Sequence, residues 1–324
     1  VTGMWAASVG CGIISLTAHR HCIDYWNNGW SAMEGNLIRT LFGKLIDALR
    51  FRRPSPQTES DSPRDRMKQA FSVVSDGITI RGRIFFPVAE PCKMYPGLII
   101  CHGIPGSGDP RPSDDPGYEA IAEEFASLGI AAVIFNFRGC GDSGGDFEMM
   151  GWTRDLEAVV GKILDTPFID PTRVSLLGFS GGGAAAIRVA ADNSDIYGLA
   201  AIGTPAHFDI FDEDPSEIVS DFKERGIIKD PGFPPDIDRW TRSFVEIEPR
   251  RWIGHFEGKR VLIVHGDQDE LIPVEHAHEL FERAPAGVAK ISVIPGGVHR
   301  LRLDPRCNEI VKKWLLEGLG WKSD

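Results

Sequence analysis

With 324 residues, 42% of them apolar and 25% charged, the chain is long enough to bury a large core without disulfide staples, which excludes the disordered and small crosslinked classes. A formal net charge of −11 and the lack of a basic stripe in the body of the chain exclude a nucleic-acid partner, because phosphate backbones are held by clustered Lys and Arg. No run approaches the roughly 18 apolar residues that a membrane span needs, so no transmembrane segment is expected.

In chain order, Met4 to Ala18 is mildly apolar but lacks a basic start and a small-residue cleavage site, so it does not read as a secretion signal. Leu37, Ile38, Leu41, Phe42, Leu45, Ile46 and Leu49 recur at steps of three and four, which predicts an amphipathic helix. Its expected role is to pack on the domain or on a partner; peripheral membrane contact by 37–49 is the alternative. Residues 54–66 are polar and proline-rich, a linker with nothing to bury. An N-terminal extension over 1–53 therefore precedes a main domain over 67–324.

The six cysteines, at 11, 22, 92, 101, 140 and 307, form no Cys-x-x-Cys pair and no zinc-like cluster. A reducing, cytoplasmic setting is expected, and a Cys11–Cys22 bridge is left open.

From Met67 onward strand-like and helix-like segments alternate, the pattern of a mostly parallel sheet covered by helices on both faces. A hairpin, Phe71–Ser75 and Ile78–Phe86 around Asp76-Gly77, opens the domain. Strand Gly97–Cys101, helix Tyr118–Leu128, strand Ala131–Asn136, helix Thr153–Leu164, strand Arg173–Phe179, helix Gly182–Ala191 and strand Gly198–Ile202 follow. An irregular insertion is expected over about 204–258. Strand Arg260–His265, helix Val274–Arg283, strand Ala289–Ile294 and helix Cys307–Leu316 then complete an α/β domain of about eight strands.

Serine is a poor nucleophile at neutral pH and needs an exposed position, a base beside it and donors aimed at the developing oxyanion. Gly178-Phe179-Ser180-Gly181-Gly182 lies at a strand-to-helix corner, with glycines where side chains would obstruct a tight turn. The Gly181 N–H falls at a helix N-terminus, where it can face an anionic oxygen. Three further strands end in chemistry-bearing turns: Cys101-His102-Gly103-Ile104-Pro105, His265-Gly266-Asp267-Gln268-Asp269, and Pro295-Gly296-Gly297-Val298-His299. The carboxyl ends of strands are where open α/β sheets place their ligands. The glycine-rich turn from Arg138 to Asp146 lacks the Lys-[Ser/Thr] of a phosphate loop and reads as structural.

Together these motifs resemble the α/β-hydrolase fold, in particular the esterase, dienelactone-hydrolase and serine-aminopeptidase-like group, over residues 67–324. The matching residues are His102-Gly103, Phe137 to Gly145, the serine corner, His265-Gly266-x-x-Asp269-x-x-Ile272-Pro273 and the late His299. The resemblance implies Ser180 as nucleophile, His299 as base and Asp269 as acid, with Asp267 as the alternative acid. It implies Ile104 and Gly181 N–H groups as the oxyanion hole, and a cap at 204–258. His102 is expected to brace its loop. Among the other histidines, His207 is the rival base, while His276 and His278 are placed on an exposed helix. His102, Gly103, His207 and Phe208 are the candidates for lining the substrate pocket.

The implied activity is carboxylester hydrolysis on a small-molecule ester, with no metal or organic cofactor required. A serine exopeptidase or acylaminoacyl-peptidase-like amidase is the alternative, for which Asp209, Asp212, Glu213 and Asp214 offer an anchor for an amino terminus. A non-catalytic binding scaffold is disfavoured, because nucleophile, acid and base are all present.

Overall fold

The computed structural model describes residues 68–88, 93–106, 115–208 and 214–321. The amphipathic segment 37–49, the linker 54–66, Cys11, Cys22 and cap residues Asp209, Phe211, Asp212 and Glu213 lie outside the described residues. Strands β1 (Lys68–Ser75) and β2 (Ile78–Phe85) form the expected hairpin. Asp76 and Gly77 carry φ of 50° and 77° at its tip, the two positive values of a turn that matches strand twist.

The alternation continues through β3 (Tyr95–Cys101), α1 (Gly117–Ser127), β4 (Ala131–Asn136), α2 (Met149–Leu164), β5 (Ile169–Phe179), α3 (Gly181–Asp192) and β6 (Ile196–Ile202). After the cap come β7 (Arg260–Gly266), the helix Glu275–Arg283, β8 (Ala289–Ile294) and the helix Pro305–Gly318. The strands form one sheet in the order β1-β2-β4-β3-β5-β6-β7-β8. β1 and β4 flank β2 antiparallel, and all other pairs are parallel. This is the α/β-hydrolase fold.

The central strands are apolar on both faces because both faces are covered. Ile99, Val174 and Leu176 pack in the layer of α2 and α3, while Leu98, Ile100 and Leu177 pack in the layer of α1 and the C-terminal helix. β5 starts at Ile169, four residues before the predicted Arg173, because a register shift lets Ile169 pair with Tyr95. Likewise α2 starts at Met149 rather than Thr153; its N-cap, Glu148, makes no side-chain capping bond, so its start carries no local signal.

The stretch predicted as irregular is largely helical: α4 (Pro215–Glu224), α5 (Ile237–Glu246) and one turn at Pro249–Trp252. Asp214 caps α4 by accepting from Ser216 N–H at 2.8 Å, and Asp236 caps α5 by accepting from Arg239 N–H at 2.9 Å. Each helix buries a short apolar stripe, Ile218, Val219 and Phe222 on α4 and Trp240 and Phe244 on α5. Phe147 meets Phe222, Trp240 and Phe244 there, and Trp240 Nε1 donates to Phe147 O. Most cap aromatics thus fasten the cap to the domain. Arg250 N–H donates to Ala206 O at 2.9 Å, closing the base of the excursion.

Following Glu275–Arg283 (α6) and Pro305–Gly318 (α7) back to the sheet, the loops after β3, β5, β6, β7 and β8 open at one edge. That edge holds the site.

Candidate active site

Ser180 sits between β5 and α3 with φ 50° and ψ −124°, a conformation that L-residues rarely adopt. Its N–H donates to Ile202 O at 2.9 Å, anchoring the corner to β6. The flanking glycines are sterically required: a Cβ on Gly178 would lie 2.5 Å from Gly183 Cα, and one on Gly182 would lie 2.2 Å from His102 O. Gly103 passes close to the serine, since its Cβ would sit 3.2 Å from Ser180 Cβ. Gly181 is the first residue of α3, where helical geometry leaves the N–H without an intrahelical acceptor. A Cβ on Gly181 would be 3.8 Å from Ile104 N, so the Ile104 and Gly181 amides are neighbours beside Ser180.

His299 Nε2 lies 3.1 Å from Ser180 Oγ, and its Nδ1 lies 2.8 Å from Asp269 Oδ2. A carboxylate can only accept here, so Nδ1 carries the proton and Nε2 is left as acceptor for the serine O–H. Asp269 is buried, and Oδ1 accepts from Leu271 N–H at 3.0 Å and Ile272 N–H at 2.9 Å. Burial opposes its ionisation, but hydrogen bonding from His265, His299 and the Ile272 N–H outweighs it and holds the carboxyl well below the usual carboxylate range. The arrangement can therefore draw a proton from Ser180 onto an imidazole whose positive charge is compensated.

Asp267 does not meet His299; its Oδ1 accepts from Gly296 N–H at 2.6 Å. His265, which the sequence places only in a strand-end turn, is fully buried, with Nε2 2.8 Å from Ile272 O and 3.4 Å from Asp269 Oδ2. It closes the loop whose amides serve Asp269. The signal for it was its position four residues before the aspartate.

Both ring nitrogens of His102 are engaged. Nδ1 donates to Gly103 O at 2.8 Å and Nε2 accepts from Phe137 N–H at 3.1 Å. Burial lowers its basicity, against the opposing Gly103 carbonyl contact, and its ring packs edge-on against Phe137 and Trp152. Beneath this wall Arg138 is buried and forks onto Asp155, which is wholly buried. The Arg138 loop is thus a structural support.

Ser180, His299, His102, Gly103, His207 and Phe208 all line one cavity of about 1510 Å³. His207 pairs through Nδ1 with Glu279 Oε2 at 3.1 Å, and its ring lies 4.4 Å from that of His276, tilted by 35°. The placement of His276 on an exposed surface is corrected: it is buried, and Nδ1 accepts from Ala206 N–H at 3.1 Å. It shares the inward face of α6 with Ala277 and Leu280, an i, i+4 spacing that the sequence displays. His278 stays exposed. Asp214 is spent on capping α4.

The sheet, the Ser180 corner and the cap insertion together define an α/β-hydrolase. The model described as "Prolyl oligopeptidase family" matches residues 116–304, more than half of the chain, and the chain belongs to that family. It is 29% identical over 124 residues to the quorum-quenching protein AidA of Acinetobacter baumannii (strain MDR-ZJ06). That match spans 37% of this chain and 38% of AidA, well under two thirds of the relative's length. Among solved structures, Est1E from Butyrivibrio proteoclasticus is 25% identical with a TM-score of 0.57, over 78% of this chain and 99% of that one. A second Est1E structure holds ferulic acid. DcsB, solved with its substrate analogue, shares the fold at 19% identity and a TM-score of 0.61, over 78% of this chain and 99% of its own. Among the described residues, no helix is long and apolar enough to cross a membrane.

Proposed function

We propose that this protein is a serine carboxylesterase that cleaves a small-molecule acyl ester through an acyl-enzyme on Ser180. The observation that carries this reading is the unbroken line from Ser180 Oγ through His299 to Asp269, at 3.1 and 2.8 Å. His299 Nε2 takes the Ser180 proton as Oγ bonds to the acyl carbon, and Asp269 compensates the imidazolium. The Ile104 and Gly181 amides receive the oxyanion. Collapse of the tetrahedral species breaks the bond to the alkoxy leaving group, which takes the proton from His299. Water deprotonated by His299 then attacks the acyl-enzyme, releasing the acid and returning the proton to Ser180.

Ferulic acid in the Est1E relative is a carboxylic acid, the product class that ester hydrolysis releases. Phe208 and Phe222 on the cavity wall suit an apolar acyl or alcohol group. The free, buried thiols of Cys101, Cys140 and Cys307 fit a reducing, cytoplasmic setting. We read the domain from Met67 as carrying the site, with 1–53 as an extension and 54–66 as its linker.

Membership of the prolyl oligopeptidase family favours one second reading, a serine exopeptidase-like amidase with the same three residues. Turnover of a p-nitrophenyl acyl ester series set beside aminoacyl-p-nitroanilides separates the two. Faster specific turnover of the esters, abolished in Ser180→Ala, is expected. Faster anilide turnover would replace the ester reading, and full activity in Ser180→Ala would remove both.

A further inference from the structure

The loop bearing Gly103 and Ile104 follows β3, and the loop bearing His299 follows β8; β5, β6 and β7 separate those strands. No strand pairing sets one loop against the other. A run of side chains does. Arg302, three residues after His299, sits in the short turn Leu301–Leu303 and forks onto both carboxylate oxygens of Asp115. The Asp115 side chain is 1% exposed, and its Oδ1 also accepts from Gly117 N–H at 2.8 Å, at the start of α1. The same guanidinium lies 5.4 Å from the ring centroid of Tyr118. The Tyr118 hydroxyl accepts from Gly103 N–H at 3.3 Å, and its ring meets Phe179, the neighbour of Ser180, at 5.5 Å. All three side chains line the cavity.

The geometry points to Arg302, Asp115 and Tyr118 as a positioning bridge that holds the oxyanion loop in register with the loop carrying the base. The inference rests on the serine-hydrolase reading above. A buried ion pair adds little net stability over an apolar pair of the same shape, whereas a two-toothed guanidinium contact fixes direction as well as distance. Direction is what two loops from separate strands lack. Displacement of catalytic groups by about 1 Å costs on the order of 100-fold in rate. Because the oxyanion forms only on the way through the transition state, the loss belongs to kcat rather than KM.

The test uses the full chain with Tyr118→Phe, Arg302→Lys and the paired neutral variant Asp115→Asn/Arg302→Gln. Ester kcat and KM are measured, together with inhibition by an acyl trifluoromethyl ketone, which forms an oxyanion on the serine, and by the matching carboxylic acid, which does not. Tyr118→Phe and the paired variant are expected to lose about 10- to 100-fold in kcat and in ketone affinity. KM and acid affinity should stay within about threefold, and Arg302→Lys should fall between. Should the paired variant fail to fold, Tyr118→Phe and Arg302→Lys decide. Ketone affinity and kcat within about twofold of the parent in those variants overturns the bridge, as does a rise in KM at unchanged kcat, which would make the trio a binding site. Fluorophosphonate labelling of the parent chain keeps the two readings apart. An unlabelled Ser180 overturns the hydrolase reading, and a labelled Ser180 with unaffected variants overturns the bridge alone.

Discussion

The Gly296 amide donates to Asp267 Oδ1 at 2.6 Å, so the carboxylate two residues before Asp269 fastens the loop that presents His299. Gln268 N–H donates to Gly297 O at 2.9 Å in the same seam. Asp267→Asn keeps an acceptor oxygen and should cost less than about tenfold in kcat. Asp269→Asn reverses the histidine tautomer and should cost about 10⁴-fold. Side-by-side ester kinetics check the ranking, and the opposite order would transfer the acid role to Asp267.

Ser180 holds a backbone conformation that favours glycine. Ser180→Ala should lose on the order of 10⁶ in kcat and keep the strain. Ser180→Gly should be equally inactive yet more stable than the alanine variant by about 1 kcal/mol, because the strained φ no longer meets a Cβ. Thermal unfolding of the pair reads this directly; equal midpoints would mean the corner is not strained.

The Asp269 carboxyl is held below its ordinary value of 3.8 despite its burial, by His265, His299 and the Ile272 amide. A depressed folded value means that its stabilisation is fully present above the unfolded value and lost as pH falls towards the folded one. Acid unfolding of the parent should therefore steepen below about pH 4, and Asp269→Asn should flatten that part of the curve. Identical pH dependence of the unfolding midpoint in the two proteins would contradict this.

Asp155 is fully buried and accepts three guanidinium contacts from Arg138, two from Nε and one from the terminal nitrogen, as well as the Arg138 N–H at 2.8 Å. Asp155→Ala removes the fully buried carboxylate partner of Arg138 and leaves the guanidinium with Asp76 at 3.1 Å and Glu148 at 3.7 Å at the rim, so it should cost about 2–3 kcal/mol. Urea unfolding measures it. A loss below about 1 kcal/mol would place Arg138 in contact with solvent in the variant.

The sheet was readable because each central strand is a short apolar run bounded by turn residues, and because Ser180, Asp269 and His299 each follow such a run. The cap helices were harder to read. α4 and α5 span 10 residues each, and two or three buried positions make a weak periodicity; their caps, Asp214 and Asp236, were the better signal. The Arg302–Asp115 contact was invisible because it joins residues 187 apart in sequence, and no local rule pairs them. His276 was misplaced because the partner it accepts from, Ala206 N–H, belongs to a loop on another strand.

The Arg250–Ala206 hydrogen bond pins the insertion at its root. Ile253 and Phe256, both fully buried, make the crossing from there back to β7. The entropic cost of a longer excursion grows only with the logarithm of its length. Length can therefore change in the exposed connections between the cap helices, whereas Phe222, Trp240 and Phe244 must keep their places on Phe147. On the proposed reading, the pocket wall can then be reshaped through those connections without disturbing Ser180, Asp269 or His299.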